Sequence, residues 1–292
     1  MSAVSFATAH ILRVLPRERI GRAIGKLADT PWAQPLGRAV VGIYRRAYDV
    51  ALDECSQQTG WSTFDAFFTR TLREGVRPLD PDPEAVLSPA DGRIESIARI
   101  DAGGTFSVKG RPYTVEELVG DAAESRRFTG GTALVVYLSP RDYHRVHAPI
   151  TGAIRRIRSM RGDYYPVNAL GLRHVPSLFC RNRRVAIEIE GNDAVGHVTV
   201  VMVVAMIVGR ITTVGLRDTD VAYGDHAFEP PLRVKRGDEI GVFHLGSTAV
   251  VLAENRASGE WLAGPGHVRY GVGLVRPGKS AARLAAEAGV AR

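Results

Sequence analysis

Ser88-Pro89-Ala90-Asp91-Gly92-Arg93-Ile94 and, 60 residues later, Ala148-Pro149-Ile150-Thr151-Gly152-Ala153-Ile154 share one scheme, Pro-x-x-Gly-x-Ile after a small residue. Proline presets φ for a tight turn and glycine supplies conformations other residues avoid, so each copy reads as a turn feeding an apolar strand. Outward from these turns, short apolar runs bounded by Gly, Pro and Asp follow one another from Val86 on: Ala133–Leu138, Gly152–Ile157, Val185–Ile189, Val195–Val208, Ile211–Val214, Ile240–Phe243 and Thr248–Leu252. That spacing predicts a β-rich domain, and the repeated turn predicts a duplicated sandwich of short strands.

Ahead of this domain the periodicity is helical. Phe6, Ala7, Ile11, Val14 and Leu15 fall at helical spacing until Pro16 interrupts. A second helix, from about Gly37 to Leu52, collects Val40, Val41, Ile43, Tyr44, Ala47 and Ala51 on one face and Arg38, Arg45, Arg46 and Asp49 on the other. Basic residues flanking an apolar stripe suit a helix lying in a membrane interface, and they suit equally a helix packed on the main domain. A third helix is expected from Ser62, whose spacing to Asp65 resembles a capping box, carrying Phe64, Phe67, Phe68 and Leu72. The fold class expected is therefore α+β, divided into an amphipathic helical, membrane-associating segment, 1–60, and a β-rich domain, 61–292.

The 292 residues carry 45% hydrophobic and 24% charged side chains, which excludes wholesale disorder. The first 50 residues hold eight Arg or Lys against three Asp or Glu, a net +5 out of the chain's +7. A localised positive charge points to an anionic partner, nucleic acid or a membrane surface. Arg13 and Arg17 break any signal-peptide core, and no run approaches the roughly 18–20 apolar residues that span a bilayer. Cys55 and Cys180 are the only cysteines and lie in no ligand spacing, so neither a disulfide framework nor a zinc site is expected.

Three polar clusters interrupt the β pattern. Asp91 precedes Gly92, a dipeptide that by itself marks a tight turn. Tyr137-Leu138-Ser139-Pro140-Arg141-Asp142-Tyr143-His144-Arg145-Val146-His147-Ala148-Pro149 places two histidines three apart, an acid/base pair for which no third metal ligand is positioned. Gly246-Ser247-Thr248 sits between two apolar runs, where a buried hydroxyl needs a partner. Asp, His and Ser together suggest a hydrolase relay, yet Ser247 has no Gly-x-Ser-x-Gly elbow and no following helix. The alternative use of the serine is attack on its own preceding carbonyl at Gly246, where no Cβ obstructs. An N→O acyl shift and β-elimination would then break the chain, and the dehydroalanine left at 247 would hydrolyse to a pyruvoyl group and ammonia.

With Lys235-Arg236-Gly237-Asp238-Glu239-Ile240-Gly241, the two Pro/Gly turns resemble the hairpins of biotinyl and lipoyl carrier domains, which implies a duplicated barrel-sandwich. A carrier function would require an exposed hairpin lysine flanked by Met, and neither Lys109 nor Lys235 has that flank.

A second resemblance covers nearly the whole chain. Ser88–Gly92, Tyr137–Pro149, Val175-Pro176-Ser177-Leu178-Phe179-Cys180-Arg181-Asn182 and Leu245-Gly246-Ser247-Thr248, in that order and spacing, are similar to bacterial short-chain phosphatidylserine decarboxylase proenzymes. Trp61–Pro78, with Phe64, Phe67, Phe68, Arg70 and Leu72, is similar as well. The resemblance implies self-cleavage between Gly246 and Ser247 into chains 1–246 and 247–292, with His147 as base, Asp91 orienting it, and Ser247 becoming a pyruvoyl cofactor. It implies that His144 supports proton transfer in the decarboxylation, which runs through a Schiff base between the pyruvoyl group and phosphatidylserine and releases phosphatidylethanolamine. No metal is required. The partners implied are phosphatidylserine, an anionic membrane surface, the two chains of one proenzyme and a homodimer, with no nucleic acid; the location implied is the cytoplasmic side of the cell membrane, peripherally. A pyruvoyl enzyme for another amino-acid substrate is the nearest alternative. Arg and Asn residues near Tyr164–Asn168 and Arg181–Arg184 are candidates for the phosphate.

Overall fold

Ile20, Ile24, Leu27 and Ala28 recur one helical turn apart, and α1 (Arg17–Asp29) forms along them in the computed structural model, which describes residues 17–206 and 210–278. The helix expected over Phe6–Leu15 lies outside the described residues. In α2 (Gln34–Tyr48), Pro35 starts the helix and Asp49, in the left-handed region at φ 54°, ends it four residues before the expected Leu52. Gly37 and Val41 are its buried positions, and the Trp32 indole packs so close to Gly37 that a Cβ there would lie 2.4 Å from Nε1. The third helix is shorter than expected: α3 (Phe64–Phe68) is capped by Thr63, not Ser62, whose hydroxyl accepts from the Ala66 amide at 3.0 Å. Leu72 is not in it, but bridges to Cys55.

The β-rich expectation holds, and the architecture is α+β. In chain order the strands are β1 (Val86–Leu87), β2 (Gly92–Arg99), β3 (Thr105–Val108), β4 (Arg111–Thr114), β5 (Thr132–Leu138), β6 (Arg145–His147), β7 (Gly152–Met160) and β8 (Arg184–Glu190). They continue with β9 (His197–Val204), β10 (Arg210–Thr213), β11 (Gly224–Val234), β12 (Glu239–His244), β13 (Ser247–Ala253), β14 (Glu260–Trp261), β15 (Gly266–Val268) and β16 (Gly273–Arg276). Eight of them form one antiparallel sheet in the order β11-β7-β8-β9-β13-β5-β2-β15. Two smaller sheets, β1-β16-β14 and β10-β12-β6, and the hairpin β3-β4 complete it. Of Val195–Val208, expected as one strand, β9 takes His197 to Val204, and Ile207 and Val208 lie outside the described residues.

Both Pro/Gly turns deliver their strands as read, β2 from Gly92 and β7 from Gly152, and they lock onto each other reciprocally. Leu87 N–H donates to the Pro149 carbonyl at 2.9 Å, and His147 N–H to the Pro89 carbonyl at 2.7 Å. Ser88 exchanges bonds with Gly271 and Val272 just as Ala148 does with Gly237 and Asp238. This lock brings Asp91 and His147, 56 positions apart in the chain, into one neighbourhood. At the centre of the large sheet, β13 is buried along its whole length and laddered on one side to β5 and on the other to β9.

Candidate active site

β12 ends at His244 and β13 begins at Ser247, so two residues turn the chain from one sheet into the other. Both have positive φ: Leu245 at 82° and Gly246 at 30°. A non-glycine residue in that region holds backbone strain of about 1–3 kcal/mol. Open space surrounds the missing Cβ of Gly246, so glycine is needed here for its conformation and not for clearance. Ser247 follows, paired with Leu138 and with Val204 and only 1% exposed. Its hydroxyl has no hydrogen-bond partner. A buried hydroxyl left unpaired costs about 1–3 kcal/mol, and this one directly follows the positive-φ pair.

The two histidines are placed by the β6–β12 ladder. Glu239 faces His147 and Val242 faces Arg145, while Phe243 N–H donates to the His144 carbonyl at 3.0 Å. His144 therefore stands at the end of the ladder nearer Ser247, and His147 at the far end. His144 is wholly buried, and its Nδ1 lies 2.9 Å from the Asp142 carbonyl. A carbonyl only accepts, so Nδ1 carries the proton and Nε2 presents a lone pair, buried and without a partner. Burial, reinforced by the nearby Arg70 cation, pushes this imidazole down to about 3. His147 likewise donates from Nδ1, to the Gly237 carbonyl at 2.7 Å, but its Nε2 receives the Tyr143 hydroxyl at 3.2 Å. Burial lowers its pKa as well, and its ring stacks on Tyr270 at 3.9 Å with 6° between planes.

Asp91 is more than a turn residue. It is 7% exposed, and Arg77 clamps it, with Nε 3.1 and 3.2 Å from its two oxygens and Nη2 at 2.6 Å. The same Arg77 Nη2 reaches Glu54 at 2.7 Å, which holds the Glu54 carboxyl below its ordinary range. Tyr270 links the carboxylate to the imidazole: its N–H donates to Asp91 at 2.9 Å and its ring covers His147. No hydrogen bond joins Asp91 to His147, or either of them to Ser247.

On the Ser247 side, His244 Nδ1 lies 2.9 Å from both Asp65 oxygens, and its Nε2 accepts from the Thr212 hydroxyl at 3.1 Å. Arg210 adds a bond to Asp65 at 3.1 Å. Arg77, Tyr143, Tyr270, Asp65 and His244 were all missed in the sequence. His244 had a signal, three places before Ser247; its partner, 179 residues away, had none. Three of the phosphate candidates are engaged within the structure. Arg183 is 2% exposed and bound to Asp220 through both Nη atoms, Arg184 is spent on backbone carbonyls, and Asn182 ties Tyr165 to Val204. Among the described residues no further ligand gathers at His144 or His147. The one carboxylate–histidine group with metal-like spacing, Glu124, Glu188 and His197, is elsewhere and closed by its own bonds to Thr199 and Arg156.

The Ser139–Tyr143 loop divides two cavities. One, of about 700 Å³, is the more polar, with Arg70, Arg77, Asp91, Arg141 and Tyr143 in its wall. The other, of about 730 Å³, is apolar: Ile24, Leu27, Leu36, Tyr44, Phe68 and Pro140 surround it, and Leu245 and Gly246 line it too. Leu27 and Leu36, on the two amphipathic helices, are 72% and 58% exposed. The peptide bond before Ser247 is thus reached from an apolar cavity bordered by exposed apolar side chains.

A family model described as phosphatidylserine decarboxylase matches residues 64–276. Among curated relatives, the phosphatidylserine decarboxylase proenzyme of Azotobacter vinelandii is 39% identical over 88% of this chain and 93% of its own length. That of Pseudomonas fluorescens is 38% identical over 89% and 94%, and that of an Anaeromyxobacter species 36% identical over 83% and 88%.

Proposed function

The chain belongs to the phosphatidylserine decarboxylase family, and on that premise we propose that Ser247 is the residue its maturation consumes and its catalysis relies on. It is a carboxy-lyase: phosphatidylserine loses CO₂ and phosphatidylethanolamine is released. The observation that carries the role of Ser247 is its buried, partnerless hydroxyl behind the positive-φ pair Leu245-Gly246.

In the maturation proposed, the Ser247 oxygen attacks the Gly246 carbonyl carbon and displaces its own amide nitrogen, giving an ester. Removal of the Ser247 Cα proton breaks the Cβ–O bond, and Gly246 leaves as the carboxylate terminus of chain 1–246. Water then replaces the nitrogen of the dehydroalanine, releasing ammonia and leaving a pyruvoyl group at the head of chain 247–292. His147, with Asp91 nearby, is the base of this cleavage. The Tyr143 hydroxyl occupies Nε2 in the intact chain, so His147 takes a proton only after, or through, that hydroxyl. The residues present fit the group: position 247 is buried with its hydroxyl unpartnered, open space adjoins Gly246, and His144 holds a second buried polar atom without a partner. A pyruvoyl carbonyl there would condense with the substrate amine and withdraw the electrons left by departing CO₂. His144, neutral and with Nε2 free, is suited to hold the proton that replaces it.

The apolar cavity favours a diacyl lipid over a soluble amino acid, because the path to Gly246 passes Leu27 and Leu36. No described helix is long and apolar enough to cross a membrane. The reading is therefore a peripheral one, with helices in 1–60 resting on an anionic surface at the cytoplasmic face and 61–292 carrying the chemistry. The reciprocal bonding of the two Pro/Gly turns supports descent of this part from a duplicated unit of biotinyl- or lipoyl-carrier type.

The intact mass of the purified protein tests the assignment. Two chains divided at Gly246/Ser247 are expected, the smaller blocked to Edman degradation. A single full-length chain that still releases CO₂ from phosphatidylserine would overturn the role of Ser247 while leaving the family standing.

A further inference from the structure

Arg70 is an anomaly. It is 5% exposed, and among the described residues no carboxylate pairs with it. Its Nε and Nη1 are buried and make no hydrogen bond. A buried cation without a counter-ion lowers stability, so its presence calls for another explanation. What the side chain does make is specific. Nη2 donates to the carbonyls of Arg141 at 2.7 Å and Asp142 at 3.1 Å, while the guanidinium lies 5.6 Å from the centre of the Phe67 ring.

The Asp142 carbonyl is the acceptor that also receives Nδ1–H of His144. A carbonyl oxygen has two lone pairs, and here Arg70 and His144 take one each. Phe68, two residues before Arg70, lies against the His144 ring with centroids 4.0 Å apart. One short segment after α3 thus fixes the imidazole twice, by its face and through the acceptor of its proton. The spare donors Nε and Nη1 are buried, so what Arg70 contributes to the wall of the polar cavity is not these two groups.

Resting on the function proposed above, we propose that Arg70 is a positioning residue for His144: by clamping the Arg141 and Asp142 carbonyls it fixes the Nδ1–H tautomer and aims the free Nε2 lone pair at the reacting centre. It touches no reacting atom. Its effect passes through the shared carbonyl, and it belongs to kcat rather than to substrate binding.

The experiment uses the full chain in detergent micelles. Histidine tautomers are read from ¹⁵N-histidine NMR spectra of the uncleaved Ser247→Ala protein, with His144 assigned through His144→Gln. The Arg70-intact protein should show His144 with a protonated Nδ1 and an unprotonated Nε2, and Arg70→Met should show mixed tautomers. In the matured enzyme, Arg70→Met should lower kcat for phosphatidylserine in mixed micelles on the order of 100-fold with KM within about threefold, since a small misplacement of a catalytic group has that effect. Arg70→Lys keeps the charge and a donor, and should recover at least about a tenth of the lost rate. A protonated Nε2 with Arg70 in place overturns the proposal whatever the variants do, and so does an Arg70→Met enzyme with unchanged kcat. If Arg70→Met does not fold, Arg70→Lys decides. A folded Lys variant that retains the Nδ1–H tautomer and at least about a tenth of the rate supports the clamp; one that keeps the full rate with Nε2 protonated overturns it. Failure of the functional reading looks different, because the wild-type chain itself would then stay uncleaved or inactive.

Discussion

The Asp91–His147 pair and the Ser247–His144 pair, on the two sides of the Ser139–Tyr143 loop, differ in one respect: every polar side-chain group of the first is bonded, and each residue of the second has one without a partner. Asp91 holds four contacts from Arg77 and Tyr270, and both nitrogens of His147 are engaged. Across the loop, the Ser247 hydroxyl and His144 Nε2 are buried with nothing to bind. Saturated networks resist movement, whereas unpaired groups beside a positive-φ turn keep their chemistry available. The polar side holds its base, His147, in a fixed frame, and the apolar side is the place where bonds change.

The largest expected effect lies on the unsatisfied side. Ser247→Ala should leave a single full-length chain by mass spectrometry and no measurable CO₂ release, with stability equal to or above that of the uncleaved parent, since an unpaired buried hydroxyl has gone. A cleaved Ala variant would erase the contrast. On the saturated side, Arg77→Met takes from Asp91 its only cation among the described residues and leaves Glu54 to Arg269 alone, and should lower unfolding free energy by about 3–5 kcal/mol in urea titrations. Little change would show that this network is not framework.

Protonation comes next. His144 titrates near 3 in the folded chain against 6.5 for an unperturbed histidine, and burial moves His147 in the same direction. The unfolded chain therefore takes up protons first as pH falls through 6.5, so stability should be level above about pH 7 and fall by a few kcal/mol toward pH 4. His144→Gln should flatten that slope, and an unchanged slope would mean the imidazole is not buried neutral. Gly246→Ala should cost about 1–2 kcal/mol and slow cleavage, because alanine is strained at φ 30° even though space is open. Smallest of all, Leu36→Ser should weaken binding to anionic liposomes by roughly 1 kcal/mol, leaving the mature enzyme's CO₂ release from a water-soluble analogue unchanged.

Much of this was legible in the sequence, for reasons that particular residues make plain. The strands found were continuous β-branched runs such as Val185–Ile189 and Thr248–Leu252, which bury both faces. β11 was missed because Pro230 and Pro231 stand inside it. It is the edge of the sheet, where a missing N–H disturbs no outer neighbour, and its register shifts there between Ala227 and Leu232. Ser247, His144 and His147 stood out as polar residues in apolar surroundings. Arg77 and Tyr270 did not, since an arginine and a tyrosine in loops carry no local mark of the carboxylate and imidazole they meet. Nor does Asp65, read as part of a cap, announce a histidine 179 positions on.

The place of β13 has a further consequence. A chain cut before Ser247 begins its shorter fragment with the innermost strand of the large sheet, zipped to β5 and β9 along all seven residues. Such a nick leaves the native assembly whole, yet once denatured the two pieces must find each other by diffusion. Folding would be first order before the cut and concentration-dependent after it, so recovery from denaturation should be the one property in which precursor and product diverge most.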